Sequence, residues 1–152
     1  MDGGRPGESY PPSCLRGLRK RDWIVEDPRR GPTVHGGAFE PDPPQGSRDW
    51  SDGWFEISVN WEDDTTIVEA ARSQRSSRDL PLNPYGVARL AVEDIEHARV
   101  FLRTANDLRY ERRSLPNLPH HGNLLIAGEL PRATQRMIAG TLALMSVIVG
   151  AV

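Results

Sequence analysis

The stretch Phe55-Glu56-Ile57-Ser58-Val59-Asn60-Trp61 decides how this chain is read. Every odd position is apolar and every even position polar. Side chains alternate across a strand, so Phe55, Ile57, Val59 and Trp61 belong to one buried face, while Glu56, Ser58 and Asn60 turn to solvent. Asp63-Asp64-Thr65-Thr66 then ends the strand and opens a helix. Thr66 and Glu69 stand at capping-box spacing, in which each side chain satisfies a backbone N–H left orphaned at a helix start. That helix is expected to run to about Arg75, stopped by Ser76-Ser77, Pro81 and Pro84.

Downstream, residues 86–92 read as a second strand, with Val87, Leu90 and Val92 apolar. Glu93 and Asp94 suit the positive end of the next helix dipole. Ile95, Ala98, Phe101, Leu102 and Ala105 recur at helical spacing and form its apolar stripe. Leu108 and Tyr110 begin a third strand, closed by Leu115-Pro116-Asn117-Leu118-Pro119. His120-His121-Gly122 reads as a turn. Residues 123–127 are apolar nearly throughout and read as a short, fully buried strand. Pro131 suits a first helical turn, and a last helix is expected from about Arg132 to the C-terminus. The order predicts an α+β fold: about four strands in one sheet, covered by two or three helices.

Upstream the text is different. Ser13-Cys14-Leu15-Arg16-Gly17-Leu18-Arg19-Lys20-Arg21 reads as a short basic helical turn. Residues 26–53 are dominated by Pro, Gly and Asp with single anchors Val34, Phe39 and Trp50, which predicts an irregular loop. Residues 1–12 contain no apolar run, so no signal peptide is expected and a cytoplasmic location follows. The expected organisation is a disordered or extended segment over 1–12, an irregular lead-in over 13–53, and an α+β domain over 54–152.

Composition narrows the function. The chain has 152 residues, 38% hydrophobic, with 14 Gly and 13 Pro. Its net charge of −2 excludes a strongly basic nucleic-acid binder, and its single cysteine, Cys14, excludes a disulfide framework. Lys20 is the only lysine among 19 basic residues, a bias that a GC-rich genome produces. Trp50, Trp54 and Trp61 crowd near acids Asp49, Asp52, Glu56, Glu62, Asp63 and Asp64. Base stacking needs a basic groove, so these aromatics fit a core or a protein-binding patch better.

Chemistry has few candidate positions. His120 and His121 stand in a proline-bounded turn and could face a metal or a substrate, but zinc needs further ligands, such as His97, His35 or Asp94. No metal-ligand spacing is present, so no cofactor is expected. His97 lies one turn after Glu93, where an i,i+4 pair would orient the imidazole. The end of the chain, MIAGTLALMSVIVGAV over 137–152, carries no charge. It is shorter than the ~20 residues that span a bilayer core. It reads as a core helix with one surface left over for a partner, through Met137, Leu142, Leu144, Met145 and Ile148, with a membrane anchor as the less favoured use.

Several short motifs together resemble a set of small bacterial proteins with no established activity. They are Leu15-Arg16, Trp23, Gly31 with Thr33, Ala38-Phe39 with Pro41, Ile57-Ser58-Val59, Gly86-Val87 and Pro119-His120. The resemblance implies that residues 26–53 are an integral part of the fold. The leading expectation is a non-enzymatic accessory protein that binds a larger protein partner or self-assembles. Its contact residues would be Trp23, Phe39, Trp50 and Trp54 with the apolar C-terminal helix. The alternatives are a small metal-dependent hydrolase or nuclease using His120 and His121, and a tail-anchored membrane protein.

Overall fold

The computed structural model describes residues 3–43, 52–64 and 66–149. Trp50 lies outside the described residues. The central strand is the one read from its alternation, β4 (Trp54–Trp61), and Ile57, Val59 and Trp61 are buried as that pattern requires.

The sheet around it is larger than expected. β1 (Ser13–Gly17), β4, β5 (Val87–Ala91), β6 (Leu108–Arg112), β7 (His121–Ala127) and β8 (Val147–Val149) form one curled antiparallel sheet in the order β6-β7-β4-β1-β5-β8. β2 (Ile24–Asp27) and β3 (Gly31–Val34) make a separate two-stranded sheet. Three short helices complete the fold: α1 (Ile67–Arg72), α2 (Val92–Phe101) and α3 (Arg132–Met145). The expected four-stranded sheet under a helical layer is therefore wrong. The chain is strand-rich.

Two misread segments account for the difference. Ser13–Gly17 is not a basic helical turn but a strand between β4 and β5, with Cys14 and Leu15 fully buried on opposite faces. Arg16 sits inside because its Nε donates to the Ala38 carbonyl at 2.7 Å and its Nη1 to the Ser58 carbonyl at 2.9 Å. Burial also lowers its pKa to about 10 and pushes the Cys14 thiol up to about 12, which leaves that thiol inert. The other segment is the apolar end. The last helix stops at Met145, because Ser146 turns extended and its hydroxyl donates to the Ala143 carbonyl at 2.8 Å. The β-branched run Val147-Ile148-Val149 then pairs with Val87-Ala88-Arg89 of β5. Among the described residues no helix is long and apolar enough to cross a membrane.

The Gly/Pro-rich lead-in is likewise partly regular. Asp27 Oδ1 accepts from the N–H groups of Arg29 and Arg30, and Gly31 takes φ 74°, so the tight turn between β2 and β3 is closed by an Asx motif. A 3₁₀ turn at Gly36–Phe39 then delivers Ala38 and Phe39 into the core against α3.

At α1 the capping box does not form. Thr66 is helical and makes no side-chain cap bond, and Asp64 Oδ1 accepts the Thr66 N–H instead at 2.8 Å. In α2 the expected inward Phe101 is 75% exposed, and Arg99 is buried in its place. Its guanidinium donates to the carbonyls of Leu108 and Ala105, which lie past the helix end, and pairs with Glu96. Two carbonyls that need donors outweigh the burial of one aromatic ring.

The sheet has two unlike faces. Ile57, Val59 and Trp61 of β4, with Leu124 and Ile126 of β7, pack beneath α2 and α3. On the other face α1 packs over β1, β5 and the adjoining part of β4, with Leu15, Ile67, Ala71 and Val87 buried together beneath it. The rest of that face carries polar side chains, and a site can form there.

Candidate functional site

Strand register places the polar residues together. Ser58 pairs with Asn123, Asn60 with His121, and Glu111 of β6 also with Asn123. Because alternate residues share a face, Glu56, Ser58, Asn60, His121, Asn123 and Glu111 form one polar surface across three strands. Three adjoining concavities line up along it. One of about 320 Å³ is lined by Asp42, Glu56, Ser58, Arg113, His121 and Asn123. A second, about 110 Å³, shares Ser58 and His121 and reaches Asn83 and Gln74. A third, also about 110 Å³, shares Asn60, Gln74 and Leu118 with the second and ends at His120 beside Ile67, Ala70 and Ala71. The result is a trough along β4.

Asn123 is its buried floor. The residue is 1% exposed, its Nδ2 donates to Glu111 Oε2 at 2.9 Å, and its Oδ1 receives no hydrogen bond. Glu111 beside it is 2% exposed.

At the far end sits a charged junction. His120 Nδ1 is 2.6 Å from Asp63 Oδ2. Arg112 clamps the same carboxylate with Nη1 at 3.1 Å and Nη2 at 2.5 Å. An ionised carboxylate only accepts, so Nδ1 carries the proton it donates to Asp63. The Arg112 bonds, helped by His120 and opposed by partial burial, hold the Asp63 carboxyl below the usual carboxylate range. A lowered folded-state pKa contributes stability above the unfolded value of roughly 3.9 and loses it as pH falls through the folded value. Chemical denaturation of the Asp63→Asn variant should therefore show a shallower loss of stability below about pH 5 than the natural chain does. An unchanged acid slope would show that the junction is not formed in solution.

The two adjacent histidines do not act as a pair. His121 is the first residue of β7, and its Nδ1 faces the Arg113 carbonyl at 2.9 Å, whereas His120 turns to Asp63. Among the described residues, no three His, Cys, Asp or Glu side chains stand close enough to hold a metal ion. His97 is exposed on α2, and no ion pair with Glu93 forms.

The residues singled out for partner binding divide sharply. Phe39 and Leu142 are fully buried core residues. Trp23, Met145 and Ile148 are half-buried against the core. Trp23 lies under the Arg16 and Lys20 cations at 5.2 and 5.9 Å from its ring centroid. Trp54 stacks beneath the Arg109 guanidinium at 4.5 Å. Only Met137 and Leu144, 47% and 64% exposed, present large apolar surface on α3, and Val147 at 61% extends it onto β8. Val100 and Phe101, both 75% exposed, stand at the end of α2, which packs against α3.

Sequence reasoning missed the trough. Its signal was present in Asn123, a lone amide at the head of an otherwise apolar buried strand. No protein-family model, curated protein or solved structure matches the chain.

Proposed function

We propose that this chain is a non-enzymatic accessory protein that binds a larger protein partner through exposed apolar groups of α2, α3 and β8. One observation carries the reading: Met137 and Leu144 on α3, Val147 on β8, and Val100 and Phe101 on α2 are large, apolar and turned to water. Large apolar groups exposed on packed elements are the material from which protein-binding surfaces are built. At the start of α3, Arg132 and Arg136 both pair with Glu40. The apolar groups spread over two helices and a strand, a breadth that suits a partner's broad surface better than a single self-paired helix seam.

The test is capture from cell extract with the natural chain and with Met137→Asp/Leu144→Asp. Both positions are exposed, so the double variant should keep its circular dichroism and melting temperature. It should lose at least tenfold in affinity for a stoichiometric partner, the scale of one desolvated anchor. A natural chain that is monomeric and captures nothing, or a variant that captures the same partner equally well, contradicts the reading.

A second reading, a small hydrolase, is favoured by the Asp63–His120 contact alone. An oriented imidazole beside an apolar concavity has the form of a general base. Among the described residues that line this concavity there is no Ser or Cys, so the base would act on water. Asp63→Asn should then lower kcat on a susceptible phenyl ester about 100-fold with little change in KM. Elemental analysis separates the metal-dependent form, which requires a stoichiometric ion lost on His120→Ala/His121→Ala.

A further inference from the structure

We infer that the part of the trough beside α1 is a binding site for a small carboxylate carrying a short aliphatic chain. The site goes beyond the proposed partner surface, since it lies on the sheet face opposite α2 and α3. It joins two concavities of about 110 Å³ each, which share Asn60, Gln74 and Leu118.

One end suits an anionic head group. Arg16, Arg19, Asn60, Gln74 and Asn83 line it, and no Asp or Glu stands among the described residues of its wall. Arg16 is only 6% exposed, and its hydrogen bonds go to the neutral carbonyls of Ala38 and Ser58. Among the described residues no carboxylate stands at ion-pair distance from it. The field of Asp42 reaches Arg16, but that carboxylate is exposed to screening water and lines the neighbouring concavity instead. Arg19 is exposed, pairs with no described acid, and stands near enough to repel Arg16. Two cations held together without a paired acid are a standing cost that a bound anion removes. The amides add donors. Asn83, 3% exposed, donates through Nδ2 to the Ala71 carbonyl at 2.8 Å and to Gln74 Oε1 at 3.4 Å, which leaves Gln74 Nε2 as a donor.

The other end suits hydrocarbon. Past the shared residues the wall is Ile67, Ala70, Ala71 and Pro119, with His120 at the far side. Each methylene buried there tightens binding about fourfold. The two ends adjoin, so one molecule with a charged head and a short chain spans both. Asn60 lies on β4 between Leu15 and His121, paired on both sides, which fixes the wall before a ligand arrives.

The test titrates the full chain with hexanoate, with acetate as the control for the chain and hexylamine as the control for the charge. Backbone amide NMR at constant pH and ionic strength should give saturable shifts at Arg19, Asn60, Gln74 and Leu118 for hexanoate at millimolar concentrations. Acetate lacks the buried methylenes and should bind about tenfold more weakly or worse, and hexylamine should give no saturable shift there. Arg19→Glu should weaken hexanoate binding about tenfold or more. Arg30→Glu makes the same change in net charge on the β2–β3 turn and should leave the affinity within about twofold. Gln74→Glu keeps the size of the side chain and should weaken hexanoate in the same direction as Arg19→Glu. No saturable shift with hexanoate, equal binding of acetate or of hexylamine, or equal losses in Arg19→Glu and Arg30→Glu would overturn the assignment. The Met137→Asp/Leu144→Asp variant should bind hexanoate normally, so the partner reading and this one fail independently. Binding requires no turnover, so loss of the hydrolytic reading leaves the site standing.

Discussion

Trp61→Ala should cost about 3–5 kcal/mol of stability, a large share of the 5–15 kcal/mol that holds a domain folded. Trp61 is among the largest fully buried side chains and joins three parts of the molecule. Its ring meets Tyr10 at 4.8 Å and Tyr110 at 5.7 Å, and those two tyrosines meet edge-on at 4.8 Å. Its Nε1 donates to the Glu111 carbonyl at 3.0 Å. Truncation therefore opens a cavity, removes the indole donor from the Glu111 carbonyl and strips Tyr10 of one of its aromatic partners. Trp61→Phe keeps most of the packing and should cost less, about 1–3 kcal/mol, through the lost donor. Urea denaturation measures both, and equal losses for the two variants would show that packing is not the main term.

Gly122→Val should be of similar severity, about 3 kcal/mol or more. Gly122 lies on β7 opposite Val59 and Arg112. A Cβ there would come within 2.1 Å of Trp61 Nε1 and 2.3 Å of the Glu111 carbonyl oxygen. The second contact is backbone, so no rotamer change relieves it and β6 must separate from β7. Gly122→Ala already meets both atoms and should lose most of the same stability. The two sites share a partner, so their effects should not add. In the Trp61→Ala background one clash is gone, and Gly122→Ala should cost less than in the natural chain. Strict additivity would place Gly122 away from the indole and contradict the register.

What the sequence discloses about this fold depends on how many neighbours decide each residue. β4 is legible because its alternation reports one buried face and one polar face. β1 is not legible, because Arg16 within a basic run looks exposed until the carbonyls of Ala38 and Ser58 are brought to it by distant segments. β8 was hidden in a continuous apolar run, where periodicity cannot separate a helix from a strand and only the β-branched Val147-Ile148-Val149 marks the change. Alternation alone turns the polar face of β4 to open solvent. β6 and β7 instead make it the side of a trough, and that depends on β4–β7 pairings between residues 61 to 73 positions apart. Similarly, Phe101 matched a helical stripe, yet the carbonyls after α2 claimed the inward place for Arg99. Local pattern located β4, β5, β6 and β7; long-range acceptors decided which polar groups went inside.

The proposed partner surface is tested most directly by hydrogen exchange on the captured complex against the free chain. The account predicts new protection at the end of α2 and through α3 into β8, around Val100, Phe101, Met137, Leu144 and Val147, with the trough strands β4 and β7 unchanged. Protection confined to the trough or to the β2–β3 sheet, with α3 exchanging as freely as before, would contradict it.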